Sequence, residues 1–352
     1  MQKAKSSTIA RPRFPVVMRP SRNIEGRAQR HPRSNTKCLE IPLFKRAIAR
    51  AALLFSFSIL SFTQACAQSD KPPVINQNAL LSHVKFLSSD SLEGRRTGTS
   101  GNEKARDYLT QRFRDLNIAA FRENYAHKFS FEVKKTQRKF DDAKNIIGWV
   151  RGRKSPDKYL VMTAHYDHEG VKNGQIYNGA DDNASGVAAL LEIAAYFAQH
   201  PPENSIIFAA LDAEELGLQG AKAFVENPPV NLEDILVNIN LDMISRNAKN
   251  ELYVCGTRHY PALKPLIEKA PGSPSLKVLF GHDDPNGDKQ DWTFASDHGP
   301  FHQKKIPFVY FGVEDHEDYH KPTDDFEKID PRFYLSTVVF ILNVMKEFDA
   351  NL

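Results

Sequence analysis

Tyr159-Leu160-Val161-Met162-Thr163-Ala164-His165-Tyr166-Asp167-His168 begins as an uncharged apolar run of strand length and ends in two histidines around an aspartate. The same plan recurs downstream. Ile206-Ile207-Phe208-Ala209-Ala210-Leu211 runs into Asp212-Ala213-Glu214-Glu215, and Val237-Asn238-Ile239-Asn240-Leu241 runs into Asp242-Met243. The run at 307–312 is followed by Asp318-Tyr319-His320. Between these runs, residues 183–199 read as an apolar helix capped by the Asp/Asn before it. Residues 76–87, 102–116 and 331–348 read as further helices, with Ala105, Tyr108, Leu109 and Phe113 at helical spacing in the second. Strands rich in Ile, Val and Phe that alternate with helices predict a three-layer α/β/α sandwich with a mixed, mostly parallel central sheet. In such sheets ligands bind outside the carboxyl ends of the strands, which is where the acidic strings fall.

Carboxylates at the ends of buried strands are costly unless something positive sits among them. A shared cation accounts for several at once and points to metal-assisted hydrolysis. His165 suits a metal ligand, and Asp167, two residues on, suits the carboxylate that takes its other N–H and fixes the tautomer. Asp182 lies in the turn Gly179-Ala180-Asp181-Asp182-Asn183-Ala184-Ser185-Gly186. A helix cap needs only one of the two acids there, and Asp182 is assigned as a carboxylate bridging two metals. Of the adjacent pair, Glu215 is assigned as a ligand and Glu214 as the general base that takes a proton from the attacking water. Asp242 and His320 complete a nitrogen-and-oxygen donor set suited to two zinc ions about 3.5–4 Å apart. Manganese or cobalt also suits such donors.

At these residues the chain resembles the co-catalytic zinc exopeptidases typified by bacterial leucyl-type aminopeptidases, a group that also holds glutamate carboxypeptidase-like proteins and glutaminyl cyclases. The resemblance covers roughly residues 75–350 and includes Gly94-Arg95-Arg96-Thr97-Gly98-Thr99, similar to that group's Gly-Arg-x-x-Gly-Thr segment. It implies one zinc on His165, Asp182 and Asp242, a second on Asp182, Glu215 and His320, Glu214 as base and Asp167 as orienter of His165. It also implies that Ser296-Asp297-His298 lines the site and contacts substrate. Relatives often carry a tyrosine just ahead of that string for the oxyanion; here Trp292-Thr293-Phe294 stands there. The implied activity is hydrolysis of N-terminal residues from peptides. Carboxypeptidase and glutaminyl cyclase chemistry are the alternatives, and the intact Asp-Asn-Ala-Ser-Gly turn favours hydrolysis over cyclisation. Loss of metal binding, as in receptor-like relatives, is disfavoured because every ligand is present. A carboxylate terminus would call for a positioned Arg or Lys, and Arg95, Arg96, Lys289, Lys304 and Lys305 are the candidates.

The chain has 352 residues and a net charge of +4. That charge belongs to the leader: residues 1–50 hold 13 Lys/Arg and two acids, and the remainder carries a net −7. A mildly acidic body does not support nucleic-acid binding. Residues 1–44, rich in Arg, Pro, Ser and Asn, are expected to be disordered, and a translation start near residues 39–43 is the favoured explanation for so late a signal. Lys45, Arg46 and Arg50, the apolar run 51–62 and Gln64-Ala65-Cys66-Ala67 read as a secretory signal over 45–67. The run is shorter than the roughly 20 residues needed to span a bilayer. Cleavage after Ala67 would export a single catalytic domain, residues 68–352; lipidation of Cys66 is the alternative. Cys255, in Leu252-Tyr253-Val254-Cys255, reads as a core residue.

Overall fold

The computed structural model describes residues 74–287 and 289–352. The leader, the signal segment, the cleavage position and Cys66 lie outside the described residues. In chain order the elements are α1 (Gln77–Leu87), α2 (Ser100–Asp115), β1 (Ala119–Ala120), β2 (Ala126–Val133), β3 (Arg138–Val150), β4 (Ser155–His165), β5 (Gly170–Lys172) and β6 (Gln175–Tyr177). They continue with α3 (Gly186–Gln199), β7 (Asn204–Leu211), α4 (Gln219–Glu226), β8 (Ile235–Leu241), β9 (Glu251–Cys255), α5 (Lys264–Lys269), β10 (Lys277–Phe280), α6 (His298–Gln303), β11 (Phe308–Gly312) and α7 (Pro331–Asn351).

The main sheet runs β1-β3-β7-β4-β8-β11-β9-β10, with β2 paired to β3. Its centre, β7-β4-β8-β11, is parallel, and antiparallel pairs β3/β7 and β9/β11 flank it. The expected α/β class holds, with a parallel block in the middle and a further parallel pair, β9/β10, at one edge. Side chains on the central strands alternate between two cores, as a period of two requires. Leu160, Met162, Ala164, Ile206, Phe208 and Ala210 face a large core shared with α1, α2, α3, α5 and α7. Val161, Ile207, Ala209 and Leu211 face a smaller one with Phe224 of α4 and Phe301 of α6. The central strands are buried on both faces, so they read as near-continuous apolar runs, interrupted by uncharged polar residues such as Thr163, Asn238 and Asn240. Cys255 is free, fully buried and in β9, as expected.

Two differences from the sequence reading have local causes. The helix expected from residue 183 begins at Gly186, because residues 180–185 form a wider π-type turn first. Asn183 still caps it, accepting from the Gly186 N–H at 2.9 Å. The hairpin β5/β6 was not anticipated, although Asn173-Gly174, both at positive φ (51° and 76°), is the pairing that a two-residue hairpin turn favours. Among the described residues no helix is long and apolar enough to cross a membrane.

Candidate metal centre

The four central strands end side by side, so the residues just past β4, β7 and β8 are neighbours in space. In-register pairing puts His165 opposite Leu211. The main-chain N–H of Tyr166 then donates to Leu211 at 2.8 Å, and that of Asp242 to Phe311 at 3.1 Å. Asp182 comes from the turn before α3, and His320 from the loop after β11. Ala213, Met243 and His320 all have positive φ (59°, 56° and 53°). Such backbone is uncommon for non-glycine residues and persists where the surroundings over-determine it.

These loops bring five expected ligands together. His165 Nε2 lies 3.3 Å from Asp182 Oδ1 and 3.2 Å from Asp242 Oδ1. His320 Nε2 lies 3.1 Å from Asp182 Oδ2 and 3.4 Å from Glu215 Oε2. The two oxygens of Asp182 thus face different histidines. Glu214 and Glu215 line the same cavity of about 180 Å³, with His165, Asp182, Asp242 and His320. A third histidine, His168, is fully buried beside them. Its Nδ1 is 2.7 Å from Glu215 Oε1 but misaligned for a hydrogen bond, so both buried atoms lack a partner. Sequence reasoning set His168 aside by count; its place after Asp167 was the available signal.

The donor set fits metal cations. Asp182 and Asp242 are buried, as are Asp167, Asp181, Asp212 and Asp297 around them. Burying that much like charge without compensation is unfavourable. Burial alone would lower the His165 imidazole, but Asp242, Glu214 and Asp182 hold it well above its usual value. His320 is likewise raised to about 9, the hydrogen bond to Asp182 and the charge of Glu215 outweighing burial. Imidazolium is one answer to these carboxylates; a divalent ion on neutral imidazole is the other. Paired orphan atoms on His168 and Glu215 favour the second. Burial, reinforced by Glu215, Asp297 and Asp242 against the opposing pull of His165, pushes the Glu214 carboxyl well above the carboxylate range.

Asp167 departs from its expected contact. His165 Nδ1 lies 3.1 Å from the main-chain oxygen of Asp167, and the Asp167 carboxylate is 3.8 Å away. The imidazole is therefore oriented by the carbonyl, while the carboxylate Oδ1 accepts from the N–H of Glu214 at 3.0 Å. The close spacing of His165 and Asp167 brings the carbonyl nearer than the side chain.

Ser296, Asp297 and His298, expected to contact substrate, are buried behind the centre and are not among the residues lining the cavity. Ser296 Oγ donates to Asp242 Oδ2 at 2.7 Å and accepts from Asn240 Nδ2 at 2.9 Å. It ends a polar ladder through the sheet in which Asn238 donates to Thr163 and Thr163 to Asn240. His298 packs on Phe308 and Tyr310, with its Nε2 2.8 Å from the Trp292 carbonyl, and burial pushes its pKa down to about 3. The short helix α6 starts here and turns these side chains toward the sheet.

The cavity wall is completed by Met243, Gln290, Trp292, Ala295, Tyr310, Val313, Asp315 and Tyr319. No Lys or Arg is among the described residues lining it. Arg95, a candidate for a substrate carboxylate, is fully buried elsewhere. It donates to the carbonyls of Tyr166 (2.9 Å), Leu87 (2.5 Å), Asn178 (2.6 Å) and Gly179 (3.0 Å), tying the turn before Asp182 to the segment after His165. Tyr319, in the cavity wall, stacks on His320 with ring centroids 4.0 Å apart, while the expected tyrosine position holds Trp292-Thr293-Phe294.

Comparison with known proteins agrees with this architecture. The model of Peptidase family M28 matches residues 145–345. The chain is similar to Aminopeptidase YwaD of Bacillus subtilis, 34% identical over 203 residues, which covers 53% of this chain and 40% of that protein. Among solved structures, a zinc aminopeptidase from Bacillus subtilis aligns with a TM-score of 0.60 at 19% identity, covering 78% of this chain and 95% of that one. Porphyromonas gingivalis glutaminyl cyclase aligns with a TM-score of 0.64 at 19% identity, covering 78% and 99%. The chain spans well under two thirds of the curated relatives it matches. With more than half of its residues matched by one family model, the chain belongs to peptidase family M28.

Proposed function

We propose that this chain is a zinc-dependent metallo-exopeptidase that removes N-terminal residues from peptides. The observation that carries the reading is the split of Asp182: Oδ1 faces His165 and Oδ2 faces His320, as a carboxylate between two cations requires. His165, Asp182 and Asp242 would hold one zinc, and Asp182, Glu215 and His320 the other. The chemistry supplied by bound zinc is Lewis acidity toward water and the scissile carbonyl. Glu214 lines the cavity next to ligand Glu215 and takes the proton from the attacking water, then returns it to the leaving amine. The raised proton affinity of Glu214 suits that relay. Asp167 holds the Glu214 main chain, and Ser296 holds Asp242.

The wall supports an amino rather than a carboxyl terminus. It carries Asp315 and the ligand carboxylates but no Lys or Arg among its described residues, so it offers acids to an ammonium group and no guanidinium or ammonium partner to a carboxylate. Met243, Trp292, Ala295 and Val313 suit an uncharged side chain. A glutaminyl cyclase has the same fold, so the test separates products. Zinc-loaded enzyme is expected to release free leucine or alanine from p-nitroanilides and to form no pyroglutamate from glutamine peptides; the opposite pattern would move the assignment to cyclisation. Residues 68–352 are proposed as one exported catalytic domain after a signal at 45–67, released by cleavage or anchored through Cys66. The N-terminal residue and mass of the protein recovered from cells decide between these.

A further inference from the structure

Beneath the turn that carries Glu214 lies Thr97, in the glycine-rich loop before α2, and we propose that Thr97 is a positioning residue for that glutamate. The inference rests on the reading of Glu214 as the base. Thr97 is buried, and its Oγ1 lies 2.9 Å from Asp212 Oδ1 and 3.3 Å from Asp167 Oδ2. Each carboxylate holds one of two consecutive main-chain N–H groups. Asp212 Oδ1 accepts from Ala213 at 2.9 Å, and Asp167 Oδ1 accepts from Glu214 at 3.0 Å. Thr97 therefore bridges the two clamps that grip the backbone on which the base is mounted.

That backbone needs a clamp. Ala213 has φ of 59°, a conformation that L residues rarely adopt unless held. The hydroxyl also separates two buried carboxylates that would otherwise face each other without a donor between them. The loop bearing Thr97 is itself fixed. Thr99 caps α2 and donates through its Oγ1 to the Arg96 carbonyl at 2.7 Å. Asn102, in the first turn of α2, donates to the same Asp212 oxygen at 2.9 Å. The glycine-rich loop thus acts on the chemistry at one remove: Thr97 to Asp212 and Asp167, then to Ala213 and Glu214. A misplacement of about 1 Å at a reacting group is enough to cost on the order of 100-fold in rate.

The test compares Thr97→Val, which keeps the shape and removes the donor, with Thr97→Ser, which keeps the donor. Thr97→Ala replaces the valine variant if that one does not fold. In the zinc-loaded full chain, deuterium exchange over residues 212–218 is expected to be at least tenfold faster in Thr97→Val and unchanged in Thr97→Ser. Turnover of a leucine p-nitroanilide should fall 10- to 100-fold in kcat with KM within twofold and zinc content unchanged, and the serine variant should stay within threefold of the parent. Unchanged exchange in Thr97→Val, equal loss in Thr97→Ser, or zinc lost along with turnover would each overturn the proposal. Were the parent enzyme itself inactive on peptides, the proposed peptidase activity would be what fails, and the exchange result would still decide whether Thr97 holds this turn.

Discussion

Asp324 Oδ2 accepts the main-chain N–H of Asp182 at 3.0 Å and that of Asp181 at 3.1 Å. The residue that faces both histidines is thus seated by an acid 142 positions away in sequence. Asp181 extends the same seat, accepting from Ser245 through N–H (2.8 Å) and Oγ (2.6 Å), with His316 Nε2 3.0 Å from its second oxygen. Replacing Asp324 by Ala leaves buried N–H groups without an acceptor, which costs about 1–3 kcal/mol. We expect Asp324→Ala to lower the melting temperature and to weaken zinc binding by about 10- to 100-fold, as loss of a ligand's support does elsewhere. Chelator competition alongside thermal unfolding measures both, and parent-like zinc affinity would remove Asp324 from this role.

Glu214 and Glu215 are adjacent but are predicted to fail differently. Glu214→Gln should lower kcat by roughly 10²–10⁴, the range for loss of a general base, while two zinc ions per chain remain. Glu215→Gln should lose bound metal. Metal analysis and turnover on the same samples check this. Zinc lost from Glu214→Gln would make Glu214 a ligand.

Removing metal should destabilise the fold as well as abolish turnover, because the ligand carboxylates are buried and crowded. A ligand at 100 times its Kd stabilises by about 2.7 kcal/mol. We expect a chelator to lower the melting temperature by several degrees, and zinc to restore both stability and activity at two ions per chain. An unchanged melting temperature in the chelated protein would argue against occupancy of the centre.

His298 predicts part of the acid sensitivity. Burial holds its folded pKa at about 3, below the ordinary 6.5 of an unfolded chain. Between those values the unfolded state binds the extra proton, so stability falls as pH drops from about 6.5 toward 3, by up to about 1.4 kcal/mol per unit. His298→Gln should be less stable near pH 7 through lost packing, yet show a shallower fall below pH 6. Denaturant unfolding of chelated parent and variant at several pH values measures the slopes. Parallel slopes would mean that His298 is not neutral in the folded state.

Much of the fold was legible because its central strands are buried on both faces. Residues 159–164, 205–211 and 235–241 are uncharged and mostly apolar, and such runs have few alternatives to a covered parallel sheet. The short elements were not legible. β9, β10, α4, α5 and α6 are only four to eight residues long, and their placement depends on what they pack against. The convergence of His165, Asp182, Glu215, Asp242 and His320 could be anticipated, since costly carboxylates at strand ends favour a shared partner. The contacts of Asp167, Ser296 and Arg95 could not, because they turn on which side-chain or main-chain atom comes within hydrogen-bond reach once the loops are packed.

The sequence by itself determined the α/β class and the kinds of donor at the strand ends, because period, apolarity and charge are properties of residues in order. Only the tertiary structure decided which oxygen of Asp182 faces which histidine, that Ser296-Asp297-His298 stands behind the centre, and that Thr97 lies under Glu214. Those relations join segments up to more than a hundred residues apart. Chain order does not specify them; packing of the loops on a closed set of buried strands does.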